Sequence, residues 1–143
     1  MPEELDEFLA GDRPDDVVIY ISDAVVNDPD MLAAHGNRVD DGTILVVDGE
    51  RGRGAFQAAI GTDAMTFAQE ATRRKSTVDR DLTGGDCPEA DNVQGDHDGA
   101  IVFAFAEEHK PELEGIYGDG DVIHGYVQCS CGTLYSEQWV AGE

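Results

Sequence analysis

Three continuous apolar runs stand out in the hydrophobic pattern of this chain. They lie at residues 17–21, 43–47 and 100–106, and consist largely of valine, isoleucine, leucine, alanine and phenylalanine. A run that is apolar at nearly every position predicts a strand buried on both faces of a sheet. Near the C-terminus, residues 122–129 and 133–140 mix apolar and polar positions. They flank a Cys-Ser-Cys-Gly turn, which predicts a β-hairpin.

Between the second and third strands, the apolar positions take the spacing of a helix. Residues 55–60 are predicted to be helical, with apolar side chains four positions apart. Gly61 interrupts this helix, and a second one follows that ends at about Arg74. Earlier in the chain, Asp28 followed by proline predicts a short helix over residues 28–36.

These elements predict one α+β domain over residues 1–143. Strand, helix, strand and helix form a βαβα beginning, whose two strands are expected to be parallel. With the three later strands they would share a mixed sheet, with helices mainly on one face. Two segments lie outside this pattern: an acidic N-terminal segment at residues 1–15 and a turn-rich stretch at residues 76–98, predicted to be a long surface loop.

Charge is the strongest global signal. The chain has 31 acidic and nine basic residues, for a formal net charge of −22. Small soluble domains usually have a net charge of magnitude roughly 2–8. The acids are scattered rather than gathered in one tail, and molar salt screens such repulsion to within about 3 Å. The composition therefore predicts a protein adapted to high intracellular salt.

The sequence shows no recognisable membrane-spanning or signal-peptide segment. No apolar run approaches the roughly 20 residues of a membrane helix. The acidic N-terminus lacks the cationic start and apolar core of a signal peptide. A cytoplasmic protein with no membrane partner is expected.

Several segments resemble the small acidic single-domain proteins of halophilic archaea that form a family of unknown function. They are EFLAGDRPDDVVIYISD, AFQAAIGTDAMTFAQEA, DLTGGDCPEAD and GDVIHGYVQCSCGTLYSEQW. The resemblance implies a salt-rich habitat and a single-domain unit, and it implies no activity.

The cysteines give the first candidate site. Along a regular strand Cys129 and Cys131 would lie about 6.7 Å apart, but a turn through Gly132 would bring them together. Cys87 and His97, both in the 76–98 segment, would complete a Cys₃His set for a structural zinc ion.

Three alternatives to that zinc site stay open at the level of sequence. His124 could replace His97 as a ligand, although on a regular strand it faces away from the two strand-end cysteines. The thiols could be simply buried or exposed without a metal. They could also form a redox pair, since a permanent disulfide is not expected in the cytosol.

A second candidate site is the glycine-rich stretch after the second strand, interpreted as a loop that exposes backbone amides to a phosphate. Its residues are Gly49, Arg51, Gly52, Arg53 and Gly54. Their spacing matches neither common phosphate-binding motif. A third hypothesis is nucleic-acid binding through the basic residues at 51–80, which the overall charge disfavours.

The favoured function is a non-enzymatic accessory or interaction module, whose protein partner and oligomeric state the sequence does not indicate. A structural zinc ion would tie its C-terminal hairpin. The alternative is a binding protein or enzyme for phosphorylated or nucleotide ligands that uses the glycine-rich loop. No established catalytic motif is present.

Overall fold

A computed structural model describes residues 3–13, 15–25, 36–39, 42–92, 94–95, 97–107, 112 and 120–142. Three α-helices and six strands occur in these ranges, together with a 3₁₀ turn at Asp23–Val25. In chain order they are α1 (Glu3–Leu9), β1 (Asp16–Ser22), β2 (Asn37–Val39), β3 (Gly42–Asp48), α2 (Gly49–Ile60), α3 (Ala64–Ala71), β4 (Gly99–Glu107), β5 (Val122–Cys129) and β6 (Leu134–Val140). None of the helices in the described ranges is long and apolar enough to cross a membrane.

The six strands form one open sheet in the order β2-β3-β1-β4-β5-β6. Every pair of neighbouring strands is antiparallel. The α+β class is confirmed. The three continuous apolar runs are β1, β3 and β4, and all of these predicted strands are present. The C-terminal hairpin is also confirmed, as β5 and β6.

The predicted parallel pairing of β1 and β3, and with it the mixed sheet, is wrong. Asp16 lies opposite Asp48 and Ser22 lies opposite Gly42, so the two strands run in opposite directions. A parallel partner would require the chain to travel back the length of β1, roughly 23 Å at ~3.3 Å per residue. Instead the chain leaves and returns at the same end of the sheet, where β2 pairs with β3. The helix predicted at 28–36 lies outside the described residues, except for its last residue.

Alternating side chains divide the core between the two faces of the sheet. On one face, here called the helix face, Val17 and Ile19 of β1 pack with Phe56 of α2 and Phe67 of α3. The prediction that the helices lie mainly on one face therefore agrees with α2 and α3.

The opposite face, here called the loop face, has a different cover. Val18 of β1 lies in one cluster with Leu5 of α1 and with residues of the 76–98 segment. In that segment Val78, Leu82 and Cys87 are only 1%, 0% and 7% exposed. A segment of low apolar content thus supplies three core residues, and they hold it against the sheet.

Candidate metal centre

The structure brings four potential metal ligands together at one end of the loop face. They are Cys87, His97, Cys129 and Cys131, whose ligand atoms all lie within 4.8 Å of one another. Two come from the 76–98 segment, one ends β5, and one belongs to the turn between β5 and β6.

The turn explains why two cysteines separated by one residue can converge. The Gly132 amide donates to the Cys129 carbonyl at 2.8 Å, and the Cys129 amide donates to the Thr133 carbonyl at 2.8 Å. Gly132 has φ of +95°, in the left-handed region that glycine enters without a steric penalty. The chain therefore reverses directly after Cys129, and the Cys131 sulfur returns toward it.

A pair of hydrogen bonds fastens the loop to this turn. The Ser130 amide donates to the Asp98 carbonyl at 2.8 Å, and the Asp98 amide donates to the Ser130 hydroxyl at 3.2 Å. His97 is the residue before Asp98, so this contact sets its imidazole beside Cys129. The His97 Nδ1 atom lies 3.5 Å from the Cys129 sulfur.

Two distances within the cluster match the edges of a tetrahedral coordination shell. Zinc binds thiolate sulfur at about 2.3 Å and imidazole nitrogen at about 2.05 Å, which gives tetrahedral edges of roughly 3.75 Å between two sulfurs and roughly 3.55 Å between sulfur and nitrogen. The Cys87 and Cys131 sulfurs are 3.7 Å apart, and the Cys129–His97 contact is 3.5 Å. These two edges already have the length that a bound zinc ion would require.

The cysteines differ in their surroundings. Cys129 is 1% exposed, and its burial raises the pKa of its thiol to about 11. Cys131 is exposed, and a hydrogen bond with Thr133 lowers the pKa of its thiol to about 6. Without a metal, the Cys131 thiol therefore loses its proton at a lower pH than the Cys129 thiol does. A coordinated zinc ion would deprotonate both.

His124 lies on the helix face, away from the cluster. Its Nε2 atom is 2.8 Å from a carboxylate oxygen of Glu107, and its ring stacks on Phe105 with centroids 4.8 Å apart. Of the two histidines considered as ligands, His97 is the one that the structure places beside the cysteines.

The glycine-rich stretch is helical, so its prediction as a loop is wrong. Helix α2 begins at Gly49, and the Asp48 carboxylate caps it by accepting from the Arg51 amide at 3.0 Å. A Cβ atom at Gly52 would lie 2.0 Å from Val17 Cγ2. Gly52 therefore allows α2 to approach β1 closely. The Asp48 carboxylate thus already accepts from one of the amides at this end of the helix.

Several bases of the 51–80 segment have acidic partners. The guanidinium groups of Arg74 and Arg80 lie 2.7 and 2.8 Å from carboxylates of Glu89 and Glu137. Arg51 and Arg73 each lie 3.6 Å from an acid three positions earlier. The two predicted helices are present as α2 and α3, and their apolar sides are buried against the sheet.

Glu137 of β6 is a residue whose role the sequence did not indicate. Its carboxylate accepts from the Val78 amide and from Arg80 Nη1, both at 2.8 Å. Arg80 also lies over the Trp139 ring, 4.0 Å from its centroid. Glu137 thus fastens the loop to the last strand. These contacts span nearly sixty positions, so no local pattern could have revealed them.

The fold and the cluster define a class: a single-sheet α+β protein with a Cys₃His group between its C-terminal hairpin and a long loop. The chain belongs to DUF5807, a family of unknown function whose profile matches residues 36–142. The matched range contains all four residues of the cluster. Comparisons with curated proteins and with solved structures found no match.

Proposed function

We propose that the chain is a non-enzymatic accessory or interaction module whose C-terminal hairpin is held to the 76–98 segment by a structural zinc ion. The ligands are Cys87, His97, Cys129 and Cys131. Zinc suits this donor set because thiolate and imidazole are its preferred ligands, in four-coordinate tetrahedral geometry.

The observation that carries the proposal is the convergence of three thiols and one imidazole, from three separate stretches of chain, within 4.8 Å. Cys87 is 42 positions from Cys129, so its arrival at the hairpin is a property of the fold. With four protein ligands a tetrahedral zinc ion has no open position for substrate or water. A zinc ion held in this way would stabilise the fold and would not take part in catalysis.

A zinc ion would add to the buried side chains and hydrogen bonds that already hold the loop. The described residues of the loop form no helix or strand, and about half of them are exposed. Metal binding would contribute directly to the free energy of folding, because the four ligands are brought together only in the folded chain.

The proposed setting is a cytoplasm of high salt. It is supported by the 31 acidic residues, the formal net charge of −22, and the spread of those acids along the sequence. In such a setting, charge-based recognition would be screened, so we infer that a protein partner is bound through shape and apolar contact.

Metal analysis of the purified protein tests the proposal. Protein prepared in molar KCl without added metal should contain about one equivalent of zinc, and Cys131→Ser should contain much less. Replacement of zinc by cobalt should give the visible bands of a tetrahedral thiolate site. Circular dichroism would show that each variant is folded.

A matched pair of histidine variants supplies the control. His97→Gln should lose zinc, whereas His124→Gln should keep it, because His124 lies on the other face of the sheet. Zinc far below one equivalent in the wild type, or equal zinc in both histidine variants, would contradict the proposal.

The phosphate-binding and nucleic-acid alternatives remain predictions without an observation that favours them. A thermal-shift panel of nucleotides and phosphates tests the first. A ligand present at 100 times its dissociation constant stabilises a protein by about 2.7 kcal/mol. DNA retention in molar salt tests the second.

A further inference from the structure

Two sulfurs of the cluster differ sharply in their access to solvent. Cys131 is exposed at the tip of the turn, whereas Cys87 beneath it is only 7% exposed. Their sulfurs are 3.7 Å apart. An oxidant from solvent would therefore meet Cys131 first, with a second thiol already in contact behind it.

The third cysteine is placed differently. Cys129 is 1% exposed, and its sulfur lies 3.5 Å from His97 Nδ1. Its backbone is held at the end of β5 by the hydrogen bonds with Thr133 and Gly132. Cys131, in contrast, precedes a glycine in an exposed turn. It can make the further approach of more than 1.5 Å that a disulfide of about 2.05 Å requires.

We propose that Cys87 and Cys131 form an oxidisable pair, and that their oxidation to a disulfide releases the metal. This inference rests on the zinc centre proposed above. It makes the centre responsive to peroxides: zinc is held by the reduced chain and is lost by the oxidised chain.

The chemistry balances with hydrogen peroxide as the oxidant. The Cys131 thiolate attacks one peroxide oxygen and becomes a sulfenic acid, while the other oxygen leaves as hydroxide and takes a proton from solvent to form water. The Cys87 thiolate then attacks the Cys131 sulfur and displaces the hydroxyl group as hydroxide, which takes a second proton from solvent. The two cysteines lose two electrons to the peroxide. Zinc is then left with two ligands and dissociates, and a small thiol can reverse the reaction by exchange.

Oxidation should leave the loop in place. Val78 and Leu82 stay buried on the loop face, and the Ser130–Asp98 and Val78–Glu137 hydrogen bonds do not involve the metal. What changes is His97, which lines a cleft of about 920 Å³. Loss of zinc would free its imidazole from coordination at the wall of that cleft.

Treatment of the zinc-loaded full-length protein with hydrogen peroxide tests the inference. Zinc release can be followed with a chromogenic chelator, and the products mapped by digestion and mass spectrometry without reduction. About one zinc should be released per disulfide formed, the linked peptides should contain Cys87 and Cys131, and dithiothreitol should restore zinc binding. Cys129→Ser, stripped of metal, keeps the pair and should form the same link.

Two results would overturn the inference: zinc retained under a tenfold excess of peroxide, or a disulfide that joins Cys129 to Cys131. If the purified chain holds no zinc, the proposed function itself is wrong. The peptide map then decides the pairing alone: a Cys87–Cys131 link supports the oxidisable pair, and its absence rejects it.

Discussion

Two histidines of this chain have very different surroundings, although the sequence offered both as zinc ligands. His97 lies beside the Cys129 sulfur because the neighbouring Asp98 is bonded to Ser130. His124 is 3% exposed on the helix face, against Glu107 and Phe105. The alternation of side chains along a strand was enough to predict that His124 faces away from the cysteines.

His124 also gives a prediction of pH dependence. Burial lowers its pKa below the ordinary value of 6.5, with Lys75 acting in the same direction and Glu107 in the opposite one. As the pH falls below about 6.5, the unfolded chain protonates this histidine before the folded chain does, so stability decreases. The stability that the buried neutral imidazole of His124 contributes is fully present above pH 6.5, and it is lost as the pH falls toward the folded-state pKa.

Urea denaturation of wild type and His124→Gln at pH 7.5, 6.5 and 5.5 measures this effect. The stability advantage of the wild type should shrink as the pH is lowered. An advantage that stays constant across the three pH values would show that His124 does not titrate in this way.

At the scale of elements, α2 shows where local pattern and tertiary packing diverge. Three glycines in its first six residues favoured a loop, because glycine in a helix interior costs roughly 0.5–1 kcal/mol relative to alanine. The helix nevertheless begins at Gly49, capped by Asp48. Glycine is needed at position 52 because a side chain there would collide with Val17 of β1. That strand lies more than thirty positions earlier in the chain.

Two glycines of α2 form a matched pair for mutation. A Cβ atom at Gly52 would meet Val17 Cγ2 at 2.0 Å, whereas one at Gly54 would meet nothing within 4 Å. Gly52→Ala should lower the free energy of unfolding by about 1–3 kcal/mol through overpacking. Gly54→Ala should raise it by roughly 0.5–1 kcal/mol through helix propensity. Chemical denaturation measures both, and equal effects would mean that α2 does not pack on β1 in this way.

At the scale of the whole molecule, the excess of acid over base sets the conditions for folding. Like charges repel one another in the compact state, and salt reduces that repulsion. In the described residues, several arginines pair with acids, but nine bases cannot neutralise 31 acids. The folded state should therefore depend on salt more strongly than that of a nearly neutral protein.

A melting series in KCl measures this dependence. The melting temperature should rise between 0.1 and 1 M KCl and level off above 1 M, where the screening length is about 3 Å. Neutralising two exposed acids, in Asp12→Asn with Asp91→Asn, should raise the melting temperature in low salt by a few degrees. The rise in melting temperature between 0.1 and 1 M KCl should then be smaller in the double variant than in the wild type. A melting temperature insensitive to salt would contradict the proposed adaptation.

The sequence by itself determined the features that depend on local order. Continuous apolar runs formed β1, β3 and β4, and the Cys-Ser-Cys-Gly turn closed the hairpin. The excess of acidic over basic residues set the net charge. Only the tertiary structure decided the features that depend on distant partners. The direction of β3 follows from its long-range pairing with β1. The convergence of Cys87 and His97 on the hairpin follows from burial of the loop and from the Asp98–Ser130 contact. Such contacts join residues tens of positions apart, and their free energy exists only once the chain has folded.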